Sequence, residues 1–288
     1  MITGTIQKNK SLATRALLVS VNISQWAGRK LDKKATETAN AAYKADSTAG
    51  NYHKKLLPAA LELERVATIA SQARKYYYEQ TLPWMSDGTR IISGSNYLPF
   101  QTEMRKIQST FDHAVKEFEQ AYPRLKLEAQ KRLGDMYNSE EYPDQISDRF
   151  GISVDFLPMP DAKDFRVAIS ETEKRQFEKK MKDIETAAMK DASKRLLDVI
   201  KNAAEKLKDK KTIFRDSLLE NIAEIAGLIP ALNISDSVEL DQLSADARAL
   251  VDSVSIADIR KDDSKRDDTR KKLADIESKM SVFMGGLN

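Results

Sequence analysis

The run 171–211 contains neither glycine nor proline, and its apolar residues recur every three or four positions. Phe177, Met181, Ile184, Ala188, Ala192, Leu196, Val199, Ala203 and Leu207 therefore fall on one side of a helix. Such a helix is about 60 Å long at 1.5 Å per residue. A rod of that length cannot bury its stripe alone. It must pack against other helices, either of this chain or of another copy. A second stripe runs from Met104 through Ile107, Phe111, Val115, Phe118, Tyr122, Leu125 and Ala129 to Leu133 and Met136. It predicts a helix over 98–136, which Pro123 is expected to kink or break.

Shorter helices are expected over 31–45, 56–80, 213–228, 235–253 and 264–284. Pro58 would sit in the first turn of the second, and Gly227 and Pro230 would end the third. The stretch 262–268 reads as a charged linker or a frayed turn. Period-two patterns are confined to the N-terminal part. Residues 16–24 read as a strand, and Asp87-Gly88 is a hairpin signal between Trp84-Met85 and Ile91-Ile92. Residues 151–157 and 165–169 alternate around Pro158 and Pro160 and read as a hairpin or two edge strands. The fold class expected is mainly α with a small antiparallel β element, its long helices forming a bundle or coiled coil. The domain reading is a mixed α/β region over 1–170 and a helical region over 171–288.

Composition narrows the chemistry. The 288 residues hold no cysteine and two histidines, His53 and His113. Disulfides, thiolate zinc sites, iron–sulfur clusters and cysteine nucleophiles are excluded. No nucleotide-binding glycine loop, metalloprotease, serine-hydrolase or EF-hand motif occurs. No catalytic residue, cofactor or metal is therefore assigned, and the chain is expected not to be an enzyme. The longest apolar run, Ile225 to Leu232, is far below the roughly 20 residues that span a bilayer. No early apolar segment suggests a signal peptide, so a cytoplasmic location and no membrane contact are expected.

The 47 Lys and Arg nearly balance the 44 Asp and Glu, but the balance is local nowhere. Residues 1–100 carry fourteen bases against seven acids, whereas 216–259 carry one base against nine acids. Within the basic part, Trp26, Arg29, Lys30, Lys33 and Lys34 form the most suggestive cluster. One aromatic beside four cations suits a nucleic-acid backbone with a stacked base. It suits equally a protein interface, where Trp and Arg anchor binding, or a Trp covered by a charged helix start. Tyr76-Tyr77-Tyr78 cannot share one helix face, so one or two should point to the core. His113 reads as a helix-boundary residue and His53 as ordinary surface.

The order of these elements also carries a resemblance. The strand at 17–24 runs into Gln25-Trp-Ala-Gly-Arg-Lys30, and a helix ending in Tyr76-Tyr-Tyr78 leads to Leu82-Pro-Trp84 and Asn96-Tyr-Leu-Pro99. Then come the helix with Tyr122-Pro123 and the segment Phe150-Gly-Ile-Ser-Val154. Over roughly residues 12–170 this resembles an uncharacterised family of phage and bacterial proteins, some encoded beside a MoxR-type AAA+ ATPase and a von Willebrand factor A protein. The resemblance implies a non-catalytic partner of an AAA+ ATPase and supplies no catalytic residue. Together these readings predict a non-enzymatic interaction protein that self-associates through its long helices. The alternative is a nucleic-acid-binding protein, such as a single-strand annealing or recombination factor.

Overall fold

A computed structural model describes residues 11–85, 88–161, 170–208, 212 and 214–287. It is mainly helical with a small antiparallel β element. The chain begins with β1 (Ala16–Ser24), β2 (Arg29–Leu31), α1 (Lys33–Ala42) and β3 (His53–Lys55). It continues with α2 (Leu61–Glu79), β4 (Leu82–Pro83), β5 (Arg90–Ser93), α3 (Tyr97–Leu133) and β6 (Gly151–Pro158). The last helices are α4 (Glu171–Lys208), α5 (Ser217–Leu232), α6 (Val238–Asp252), α7 (Ile256–Lys261) and α8 (Asp263–Gly286).

Four strands form one sheet in the order β4-β5-β1-β6. Its register pairs Leu18 with Ile91 and Leu82 with Ile91, both antiparallel. The pair β4–β5 is the hairpin expected around Asp87, although Asp87 itself and the strand expected at 165–169 lie outside the described residues. A separate two-stranded ribbon joins β2 to β3, pairing Arg29 with Lys55, Lys30 with Lys54 and Leu31 with His53. Three-residue strands carry too little periodicity to be read from sequence, and neither strand of this ribbon is among the expected elements.

The chain clusters into two compact units, and neither is one contiguous stretch. The first unit comprises Met1–Ser20, Tyr77–Phe100 and Asp155–Asn288, and the second Val21–Tyr76 and Gln101–Val154. Residues 171–288 thus fall wholly in the first unit, whereas 1–170 is shared between the two.

In the first unit the α4 stripe is buried inside the chain from Ala188 to Leu207, while Phe177, Met181 and Ile184 are half-buried. Leu196, Ile200 and Leu207 share one core with Leu18 and Ile91 of the sheet, Ile222 and Ile229 of α5, Leu243 of α6, and Leu273 and Met280 of α8. α4 packs against α5 and α8, and α6 against the same two helices. The second unit does the same with α3. Phe111, Phe118 and Leu125 are buried with Val66 and Ile69 of α2 and with Tyr142 and Ile146. Each such aliphatic or aromatic side chain contributes roughly 1.5–3 kcal/mol when fully buried. Most of both stripes is thus covered by the chain's own residues.

Several helix ends differ from the sequence expectation. α2 starts at Leu61, not Leu56, because Ala59 has φ +58° and the Leu56 amide donates to Gly28 O at 2.7 Å. Its buried stripe is Val66, Ile69, Ala70, Ala73 and Tyr77, while Ala67 is exposed. α3 continues through Pro123, which lies on the exposed side where water can take the freed carbonyl. α5 continues through both Gly227 and Pro230. The expected linker at 262–268 is instead the start of α8. Asp262 caps it, accepting from the amides of Ser264 (2.9 Å) and Lys265 (3.2 Å). Arg266, only 5% exposed, donates to the carbonyls of Leu207, Lys206 and Thr212, closing the C-terminal end of α4. No helix among the described residues is long and apolar enough to cross a membrane.

Candidate functional site

The β2–β3 ribbon positions the site in the second unit. Successive residues of a strand point to opposite faces, and directly paired residues share a face. Arg29 and Lys55 therefore stand on one face, and Lys30 and Lys54 on the other. The two faces resolve their charge differently. Lys54 is 5% exposed, and its ammonium lies 2.8 Å from Glu141 Oε2 and 3.5 Å from Asp32 Oδ2. It also donates to Met136 O at 2.6 Å. Asp32 in turn caps α1 by accepting from the Ala35 amide at 2.9 Å. That amide, and then the neighbouring Lys54, hold the Asp32 carboxyl below the usual carboxylate range.

On the other face, Arg29 and Lys55 have no acid within ion-pair distance among the described residues. Like charges directly opposite each other destabilise a ladder. Both side chains border a cleft of about 370 Å³, with Trp26, Leu57, Ala60, Leu63 and Ala67 along its wall and Glu64 beside them. Trp26 stands edge-on to Tyr122, ring centroids 6.2 Å apart. Gly28 (φ +59°) lets the wall close: a Cβ there would sit 2.9 Å from Leu63 Cδ2 and 3.5 Å from the Trp26 ring. Ala59, also on the cleft, holds its left-handed backbone without being glycine. An Ala–Leu helix face under a cationic rim can receive an apolar side chain whose flanks are anionic.

Of the five residues singled out from sequence, the structure brings Trp26 and Arg29 together at this cleft. Lys30 is exposed on the opposite face of the ribbon, and Lys33 and Lys34 lie in the exposed first turn of α1. That turn carries no acid, so both cations sit at the positive end of the helix dipole, where they are least favoured. Lys55 was not singled out, because its membership follows from pairing with Arg29 across more than twenty residues of sequence.

The other candidates are accounted for within their own elements. His113 is exposed and lies 3.4 Å from Glu117, one turn along α3. His53 is exposed in β3. Tyr77 is buried and donates its hydroxyl to Val19 O at 2.8 Å, while Tyr78 is half exposed with the Arg90 guanidinium 4.6 Å from its ring centre. Among the described residues no group of three or more His, Asp or Glu is arranged to hold a metal ion. A scan against protein-family models finds no match for the chain, and searches of curated proteins and of solved structures find none either.

Proposed function

We propose that this chain is a non-enzymatic interaction protein whose Trp26 cleft receives an acidic polypeptide segment carrying one apolar anchor. The observation behind this reading is the Arg29–Lys55 pair: two cations opposed on one ribbon face, without an acid, at the mouth of an apolar cleft. An incoming carboxylate pair would remove that repulsion, and an aliphatic side chain would fill the Leu57–Ala60–Leu63 wall. Ala59 adds support, since a strained backbone at a cleft is a feature of binding sites. The cleft favours a polypeptide over nucleic acid because its wall is aliphatic rather than a second stacking surface. The family resemblance makes an AAA+ ATPase one candidate for the protein that supplies the segment.

Trp84 is the only other tryptophan, so a Trp84→Phe protein reports on Trp26 alone. Its fluorescence should shift on titration with an Asp/Glu-rich peptide bearing a central leucine. Binding should weaken with salt and be lost in Arg29→Glu/Lys55→Glu. A shift with oligothymidylate and none with the peptide would overturn the reading in favour of single-stranded nucleic acid.

A further inference from the structure

The chain carries its own acidic counterpart to the cleft. Nine of its 44 acids fall within 216–259, against the single base Arg248. The start of α6 concentrates this charge around an apolar knob. Val238, the first residue of the helix, is 82% exposed. Asp236 precedes it with φ +54° and is exposed, and Glu239 and Asp241 follow in the first turn. The helix dipole accounts for acids at that position. It does not account for the valine. Glu239 and Asp241 have no base within ion-pair distance among the described residues, mirroring Arg29 and Lys55.

We infer that the occupant of the Trp26 cleft is the α6 N-terminal turn of a second copy of this chain. Val238 enters against Leu57, Ala60 and Leu63, while Glu239 and Asp241 meet Arg29 and Lys55. The knob and the cleft are different surfaces, so the contact is heterologous. Each pair so formed keeps one free knob at one end and one free cleft at the other, and assembly proceeds head to tail into a ring or a filament. This inference rests on the cleft being a site for acidic polypeptide, and it names that polypeptide.

The test is complementation between two full-length variants followed by light scattering. Wild-type protein should rise in mass with concentration and fall back towards the monomer as salt is raised. Arg29→Glu/Lys55→Glu, without a working cleft, and Val238→Glu, without a working knob, should each remain monomeric. Mixed in equal amounts they should give a dimer and nothing larger, because one intact knob and one intact cleft remain. A third protein combines Arg29→Glu/Lys55→Glu with Glu239→Lys/Asp241→Lys. It should regain assembly, which a misfolded cleft would not allow. Wild-type protein that stays monomeric at every concentration, or a variant mixture that forms no dimer, overturns the inference. If acidic peptide still shifts Trp26 fluorescence in that case, the cleft remains a polypeptide site with a different occupant.

Discussion

The hydroxyl of Ser244 on α6 donates to the carbonyl of Ala226 on α5 at 2.6 Å, and Ala226 lies four residues before Pro230. That carbonyl is the one an ordinary residue at 230 would engage through its amide, which proline lacks. A neighbouring helix therefore supplies the missing donor, and α5 runs to Leu232 despite its proline. Ser244 is buried, so Ser244→Ala leaves the carbonyl unsatisfied and should cost about 1–3 kcal/mol. Adding Pro230→Ala restores the backbone donor, and the double variant should recover most of the loss. Chemical denaturation of the two single variants and the double variant closes this cycle. Additive losses would show the two positions to be independent.

Lys54 offers a sharper electrostatic test. Its ammonium is buried between Glu141 and Asp32. Lys54→Met strands both carboxylates and should destabilise the second unit by roughly 3–5 kcal/mol. Introducing Glu141→Gln alongside it should return a large part of that, read as a shift in the urea midpoint.

High pH should also weaken the fold. Burial pushes the hydroxyls of Tyr77 and Tyr122 up to about 12 from 10.0, with Asp144 adding to the rise at Tyr122. Both donate to carbonyls, Val19 O and Pro143 O. Ionisation would face an oxyanion with a carbonyl oxygen. The folded state holds these protons more tightly, so their contribution is complete below pH 10 and is lost as pH rises through 12. Each is worth on the order of 2 kcal/mol. Thermal midpoints should fall between pH 10 and 12. In Tyr77→Phe the fall should be shallower, although the variant starts lower.

The backbone of the cleft makes its own predictions. Gly28→Ala must hold a left-handed residue with its Cβ 2.9 Å from Leu63 Cδ2. It should cost about 1–2 kcal/mol and weaken acidic-peptide binding by crowding the wall. Ala59→Gly relieves the opposite strain at φ +58° and should be neutral or stabilising by up to about 1 kcal/mol. Both effects are read by thermal denaturation beside the Trp26 titration.

Local pattern and tertiary partner account for what sequence conveys here. The α3 stripe from Ile107 to Ala129 is legible because one face of one helix meets one core. β1 is legible from its β-branched, partly alternating residues, although adjacent Leu18 and Val19 are both buried. Gly227 and Pro230 mislead because their resolution lies on another helix. Ser244 serves the freed carbonyl, and the missing Cβ of Gly227 leaves room for Arg248, whose Nη1 would sit 3.1 Å from such an atom. The charged run 262–268 misleads because Arg266 finds its acceptors at the far end of α4, about 60 residues away. At the cleft, Trp26 and Arg29 are visible as neighbours in sequence. Lys55 becomes visible only once the ribbon is paired, and Lys54 shows that an identical adjacent residue can take the opposite role.

The interleaved composition of the two units sets an order of events during synthesis. Every piece of the second unit has left the ribosome once Val154 has emerged. The first unit needs Leu18 and Ile91, made early, to share a core with Met280 and Phe283, made well after them. Until those later helices have been made, the apolar side of that early strand lacks the partners that cover it. The nascent chain therefore passes through an interval in which that apolar surface is exposed, the condition that makes unfinished domains prone to aggregate.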